Sequence, residues 1–426
     1  MPAPGSSGVR SKSNISSFRR VTDALLALGP FAGFITAYGL LLDSFQDSWF
    51  TYRALKYLLA GVCALCFGLI LRILGQRFVK STSSGEAVTP EGNTPIASGA
   101  TRMQAASPYQ ILAYTAAAIQ ADFRTGKHDG TITYGWSQYI ADPVPPSAIG
   151  TSYGLRIAMA LDIRSSEMSY SLIVKSLLDL QRNGGGWAAS TQRGIGRPEV
   201  TAWVLGAAFR AGLDHEVTAT LVKVLENMTK MGDPVALNRT TIISTIVSTL
   251  ADVAPKSEQL SSLSELLVKG AGSAGEGLSW GEVVDGGPKN SVPHSARAVV
   301  ALKKAARVLP TAAGLNVAAN EGIRWLVQPE RSLLATDEQI RRPVGDGDVD
   351  ALFVGQFSAA WVARAIMTSS NPSTYEDALR RAVREVVACQ EEGIWRWHDN
   401  TTPIWMTYQG VSVLRDYLLR GLVWPP

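Results

Sequence analysis

Two apolar patterns alternate along most of this chain. In the first, apolar residues recur every three or four positions among polar ones, as in SYSLIVKSLLDLQ (Ser169 to Gln181), which is the pattern of a helix with one buried face. In the second, small and apolar residues lie on every side, as in TTIISTIVSTLAD (Thr240 to Asp252), the pattern of a helix packed all round. The first kind falls near residues 107–124, 166–182, 215–230, 257–270, 316–328 and 374–390. The second falls near 148–162, 198–212, 238–251, 294–308, 354–368 and 404–420. The alternation predicts six amphipathic outer helices and six buried inner ones. Six such pairs suffice to close a ring, so the expected fold over 107–426 is all-α, an (α/α)6 toroid. A ring of repeats also explains how so long a segment escapes the size limit of a single core.

The joints between the helices repeat as well. The clearest is LLDLQRNGGGWAASTQ (Leu177 to Gln192), followed by the inner segment RPEVTAWVLGAAFRAG (Arg197 to Gly212). Weaker copies carry Gly135-Trp136, Ser279-Trp280 and Gly393-Ile394-Trp395. Pro146, Pro198, Pro234, Pro293 and Pro403 stand at or shortly before five inner helices, where a missing N–H costs no helical hydrogen bond.

The repeats do not reach the N-terminus. Residues 1–22 form a basic segment rich in Gly, Ser and Pro. Residues 24–42 are uncharged and residues 54–75 are again apolar, each close to the ~20 residues that a membrane span needs. Residues 23–75 therefore read as a two-helix transmembrane hairpin, with a signal peptide as the alternative for the first span. The length of that span, its lack of a clear cleavage site and the second span directly after it all favour the hairpin. The intervening loop carries Phe45, Trp49, Phe50 and Tyr52, suited to an interface, while Arg19, Arg20, Arg72, Arg77 and Lys80 flank the outer ends. The positive-inside rule then places both termini in the cytoplasm, at the inner membrane. Residues 76–106, rich in Gly, Ser, Thr and Pro beyond Lys80, read as a flexible linker.

Splitting the chain this way changes the meaning of its charge. The net charge is +4, yet residues 1–80 hold nine basic and three acidic residues, leaving 31 basic against 33 acidic in the rest. A surface that coats nucleic acid is not supported, although a local basic pocket is. Of three cysteines, Cys63 and Cys66 lie inside the second span and Cys389 stands alone, so there is no disulfide framework.

From Gln181 to Ala202, QRNGGGWAASTQRGIGRPEVTA resembles the Q-x-x-x-G-G-W turn and following inner helix of the prenyltransferase and squalene-cyclase repeat superfamily, and the resemblance extends over roughly 107–426. It implies the toroid and leaves function open, because this fold hosts terpene cyclases, protein prenyltransferases and binding domains. The cyclases use a D-x-D-D acid cluster. Here GDGDVDALF carries Asp346, Asp348 and Asp350, but Ala351 interrupts the motif, which reads as a structural loop. The prenyltransferases need a zinc site of Asp, Cys and His. Cys389 is alone, and His128, His215, His294 and His398 lack paired ligand spacing. Neither metal nor cofactor is expected, and no catalytic residue is assigned.

What remains is a pocket. The joints would crowd the N-termini of the inner helices around one end of the ring, a setting that favours anions. They carry Trp187, Trp280, Trp395, Trp397 and Trp405 together with Arg193, Arg197, Arg239, Lys289, His294, Arg297, Arg341, Arg342 and Arg396. Aromatic faces beside guanidinium groups suit a nucleotide or a short single strand. Trp203 and Trp361, inside inner helices, read as core, and Glu199 as a favourable charge at a helix start. The whole organisation resembles the Hailong-type anti-phage membrane effectors. That resemblance implies a homo-oligomeric channel built from the hairpin, packed through Gly29, Gly33, Gly61, Ala64 and Gly68. It also implies a nucleotide or single-stranded DNA oligomer that controls the channel, and a companion enzyme that makes this ligand. Two other readings stand beside it: a membrane-bound terpenoid cyclase or prenyltransferase-like enzyme, and a membrane-anchored protein-binding scaffold.

Overall fold

The computed structural model describes residues 107–424, apart from 166–167, 190–193, 231–233, 274, 311 and 344–348. The expected hairpin at 23–75 and its linker lie outside the described residues, as do Arg193, Asp346 and Asp348. Among the described residues no helix is long and apolar enough to cross a membrane.

The described chain is mostly helical, and its helices fall where the two patterns place them. The outer set is α1 (Pro108–Ala121), α3 (Tyr170–Asp179), α5 (His215–Lys230), α8 (Glu258–Lys269), α10 (Ala312–Leu326) and α12 (Glu376–Ala388). The inner set is α2 (Ala148–Ala160), α4 (Pro198–Arg210), α7 (Thr240–Val253), α9 (Val292–Ala305), α11 (Ser358–Met367) and α13 (Ile404–Leu419), with a short α6 (Pro234–Asn238) leading into α7. Each inner helix packs on the next, and α13 packs back on α2, so their contacts form a closed cycle. Each outer helix lies against two neighbours in that cycle. The seam between the first and last pairs is stitched by backbone bonds from Ile140 to Thr402 (2.9 Å) and from Ile404 to Gln138 (3.0 Å). Thr115 Oγ1 adds a 2.6 Å bond to the Gly393 carbonyl.

The tryptophan joints share one device. Trp136, Trp187, Trp280 and Trp395 are fully buried. Their indole N–H groups donate to the carbonyls of Ile119 (2.8 Å), Leu177 (2.6 Å), Leu267 (2.7 Å) and Val386 (2.7 Å), within or close to the last turn of the preceding outer helix. Their backbone N–H groups donate to Thr151, Thr201, Ser295 and Thr407, on the following inner helix. Each ring thus pins an outer helix to its inner partner. The indole and backbone N–H groups of all four tryptophans are thereby satisfied, which such interior positions require. A Cβ at Gly410 would overlap the Trp395 indole. Gly410→Ala is therefore expected to destabilise the fold by about 1–3 kcal/mol. Gly314→Ala, on an exposed helical turn with open space, is expected to be neutral or stabilising, as urea midpoints would show.

Two hairpins interrupt the helices. A short one pairs β1 (Arg124–His128) with β2 (Thr131–Gly135) through Asp129-Gly130, both at positive φ (46° and 83°). This is the tight turn that Asp-Gly favours. A longer one pairs β5 (Thr336–Pro343) with β6 (Val349–Gln356) between α10 and α11. Two-residue strands, β3 (Gly272–Ser273) with β4 (Leu278–Ser279) and β7 (Gln390–Glu391) with β8 (Ile394–Trp395), brace two tryptophan joints. The β5–β6 hairpin was not legible as strands in the helical patterning. It buries Ile340, Leu352 and Val354 and leaves Phe353 exposed.

Candidate functional site

The end of the helix cycle where the inner helices begin is occupied by the chain itself. The β5–β6 hairpin reaches into it and uses most of the polar groups expected to hold a ligand. Arg197, fully buried, bonds Glu199 Oε1 (2.7 Å), Asp350 Oδ2 (3.1 Å) and the Ile340 carbonyl (3.1 Å). Arg342 bonds the other oxygen of Glu199 (3.0 Å). Glu199 is thus more than a charge at a helix start, since it joins two arginines in a dry network. Elsewhere on the hairpin, Glu338 Oε2 accepts from Gln356 of the paired strand (2.8 Å) and from Thr241 of α7 (2.7 Å), and lies 3.1 Å from His294 Nε2 of α9. Burial alone would raise the Glu338 carboxyl; hydrogen bonding and charge from His294, the Thr241 hydroxyl and the Arg297 charge hold it below its ordinary value.

The remaining expected residues are accounted for in the same way. Trp187, Trp280 and Trp395 are wedges between helices, with no face free for stacking. Arg239 pairs with Glu282 and lies 3.7 Å from Glu338, while Lys289 bonds the backbone carbonyls of Val283 and Val284. Arg341 and Arg396 are tied at the surface to Gln339 and Glu391 (2.7 Å each). Trp397 and Trp405 pack edge to face, 5.1 Å apart, over Gly355 of the hairpin. The expected pocket is therefore a structural plug. The physical reason is desolvation: arginines and carboxylates gathered in a closed space are stable only when paired, and the hairpin supplies the partners.

Arg297 is the exception, because it faces both ways. Its Nε bonds Gln356 of the hairpin (2.7 Å), while its guanidinium lies 4.1 Å from the Trp361 ring centre on the wall of a cavity beyond the plug. This chamber, about 500 Å³, is lined by residues from all six inner helices. Its floor is formed by Tyr153, Trp203, Arg297, Trp361, Tyr408 and Gln409, with Ser244 and Thr245 beside them. Four of these, Tyr153, Trp203, Arg297 and Gln409, also line a small cleft on the hairpin side, so they are the partition between the two spaces. Trp203 and Trp361 are accordingly half-buried wall residues rather than core. Above the floor stand Arg156 and Arg364, and nearer the open end Arg210, Lys304 and Arg415. Six cations thus face two acids, Asp252 and Asp416.

Asp252 is held by Lys304 (2.8 Å) and Arg210 (2.5 Å). Burial would raise its carboxyl, but these two cations outweigh it and keep it below the ordinary value, so it is ionised at neutral pH. Burial pushes the Arg297 guanidinium down to about 10, which leaves it charged. Burial raises the Tyr153 phenol to about 12. Its neighbour Tyr408, with ring centres 5.5 Å apart, goes the other way. Burial would raise Tyr408 too, but the charges of Arg156, Arg364 and Arg210 bring it to about 7. The surrounding guanidinium charges therefore favour the phenolate of this half-buried tyrosine.

Three buried polar atoms on this wall, Ser244 Oγ, Gln409 Oε1 and Trp361 Nε1, have no hydrogen-bond partner among the described residues. Ser244 and Gln409 are only 3% and 2% exposed, so leaving these groups unpaired is costly. Among the described residues no group of three or more His, Cys, Asp and Glu side chains could hold a metal ion. Of the chamber's six cations the sequence reading picks out only Arg297, although a signal for others is there. Arg156, Arg364 and Lys304 are charges inside otherwise apolar inner helices, where an uncompensated charge is expensive. No protein-family model matches the chain, and no curated protein matches it.

Proposed function

We propose that residues 107–424 are an (α/α)6 toroid whose central chamber binds a phosphate-bearing ligand, a nucleotide or the end of a single-stranded DNA oligomer. In this reading, occupancy of the chamber controls a homo-oligomeric channel formed by residues 23–75, and the protein is an anti-phage membrane effector. The observation that carries the ligand class is the convergence of Arg156, Arg210, Arg297, Lys304, Arg364 and Arg415 on one cavity that holds only two acids. Guanidinium groups bind phosphate oxygens with charge-assisted, often bidentate bonds. Aromatic rings beside them suit bases. The control step is a population shift: a ligand that prefers one channel state stabilises it by its difference in affinity for the two.

A terpenoid cyclase reading finds less support in this cavity. Carbocation chemistry calls for a carboxylic acid kept protonated by its surroundings. Asp252 is instead ionised between Arg210 and Lys304, and Asp350 is engaged by Arg197.

The test is titration calorimetry of the full chain in detergent with nucleoside triphosphates and short single-stranded DNA. Binding is expected to weaken steeply with added salt, as for any site that reads phosphate charge. Arg364→Glu is expected to cost about 100-fold in affinity, since it replaces an attraction by a repulsion inside a closed site. Full affinity retained in Arg364→Glu and Arg156→Glu would rule out the chamber. Expression of the full chain is expected to arrest bacterial growth when the ligand source is absent, and deletion of residues 23–75 to relieve it. Arrest that survives the deletion would remove the channel.

A further inference from the structure

The chamber is graded along its depth, and the grading assigns a direction to what enters. On three of the six inner helices a floor residue precedes a cation near the opening: Trp203 precedes Arg210, Arg297 precedes Lys304, and Tyr408 precedes Arg415, seven residues apart in each case. At a helical rise of 1.5 Å per residue this separates the two levels by about 10 Å. The floor holds flat aromatic surface, with Tyr153 lying 5.9 Å from Trp203 and 5.5 Å from Tyr408 between ring centres. It also holds the two unpartnered side-chain oxygens, Ser244 Oγ and Gln409 Oε1, at a level where neither reaches solvent. Except for Arg297, the cations stand above it.

Resting on the reading of this cavity as a phosphate site, we infer that it takes a single nucleotide unit base-first. The base lies on the Tyr153–Trp203 wall with its polar edge against Gln409 and Ser244. The phosphates sit among Arg156 and Arg364, with Arg210 and Lys304, which also hold Asp252, beside them. A phosphate pointing inward would meet only Arg297, already engaged by Gln356, and would offer no donor to the Gln409 amide oxygen. A base pointing inward supplies N–H and ring-nitrogen partners for both. The volume of about 500 Å³ is that of a pocket enclosing one small ligand, so a strand would insert only its terminal nucleotide. Free nucleotide and strand end share this chemistry, and the test separates them.

The experiment measures affinities of the full chain in detergent for inorganic tripolyphosphate, the four nucleoside triphosphates and a short single-stranded DNA oligomer. At least one triphosphate is expected to bind about tenfold or more tightly than tripolyphosphate, because a site built to hydrogen-bond a group discriminates against ligands that lack it. Gln409→Leu and Ser244→Ala, each checked for an unchanged melting profile, are expected to bring that ratio toward one by weakening the nucleotide. If the oligomer shows the same dependence on Gln409, the ligand is a strand end; if only the free triphosphates do, it is a mononucleotide. Equal affinity for tripolyphosphate and every triphosphate would overturn the base-first orientation while leaving the phosphate site intact. So would equal losses for both ligand types in the two variants. Failure of tripolyphosphate and nucleotides alike to bind the wild-type chain would remove the phosphate site and the orientation with it.

Discussion

Replacing Arg197 by methionine is expected to destabilise the folded protein by about 3–5 kcal/mol, the cost of breaking a buried ion network by removing one partner. Arg197 and Glu199 have fully buried side chains, and Arg197 alone connects the start of α4 to Asp350 and to the Ile340 backbone on the hairpin. Without it, Glu199 keeps Arg342 but loses its closer guanidinium, and a buried carbonyl loses its donor. Asp350→Asn should cost less, because the Asp350 side chain is 18% exposed and water can replace part of what is lost. Changing Arg197 and Glu199 together to methionine should not recover the loss, because it also takes from Arg342 the carboxylate that it bonds. Urea denaturation of the three variants measures this directly. A change below about 1 kcal/mol in Arg197→Met would show that the hairpin is not anchored through this contact.

The second large effect is a pH dependence of ligand binding centred near 7. Tyr408 faces Arg156 from α2, Arg210 from α4 and Arg364 from α11, with Tyr153 beside it. Its folded value of about 7 lies below the ~10 of an unfolded tyrosine. The folded chain therefore releases this proton first. The stability so gained appears as pH rises through 7, is complete above ~10, and is lost again as pH falls through 7. A phosphate entering the chamber competes with the phenolate for the same guanidinium groups, so binding favours the neutral phenol. Affinity is expected to fall by up to about tenfold per pH unit above 7. Tyr408→Phe should flatten this dependence and bind more tightly at pH 8 than the parent. Absorbance near 295 nm should show one tyrosine ionising near 7, displaced upward by bound nucleotide. A pH profile identical in parent and Tyr408→Phe would show that the phenolate does not compete.

Much of this was legible in the residues and some was not, for separable reasons. The helix pairs could be placed because burial imposes a period, and the chain carries that period openly, as in Ser169 to Gln181. The Gly-Trp joints could be recognised as a recurring device, although their role had to be seen. Trp187 looks equally well suited to stacking on a base and to wedging two helices until its N–H is found on the Leu177 carbonyl. The hairpin at 336–356 was hidden by its polar face, since Glu338, Arg342 and Gln356 alternate with apolar residues but are themselves buried. A buried polar residue contradicts the simple rule on which patterning rests.

The sequence by itself determined the repeating helical unit, its count and the position of its joints. It also shows two apolar stretches, residues 24–42 and 54–75. Those properties depend on neighbours a few residues apart, which is the range over which a period can be read. Which arginines line the chamber was decided only by the tertiary structure. Arg197 and Arg364 sit on similar inner helices, yet one is consumed by Glu199 and Asp350 and the other opens onto the chamber. Part of the difference lies in Asp350, 153 residues away in the chain, and charge pairing across that distance leaves no local trace.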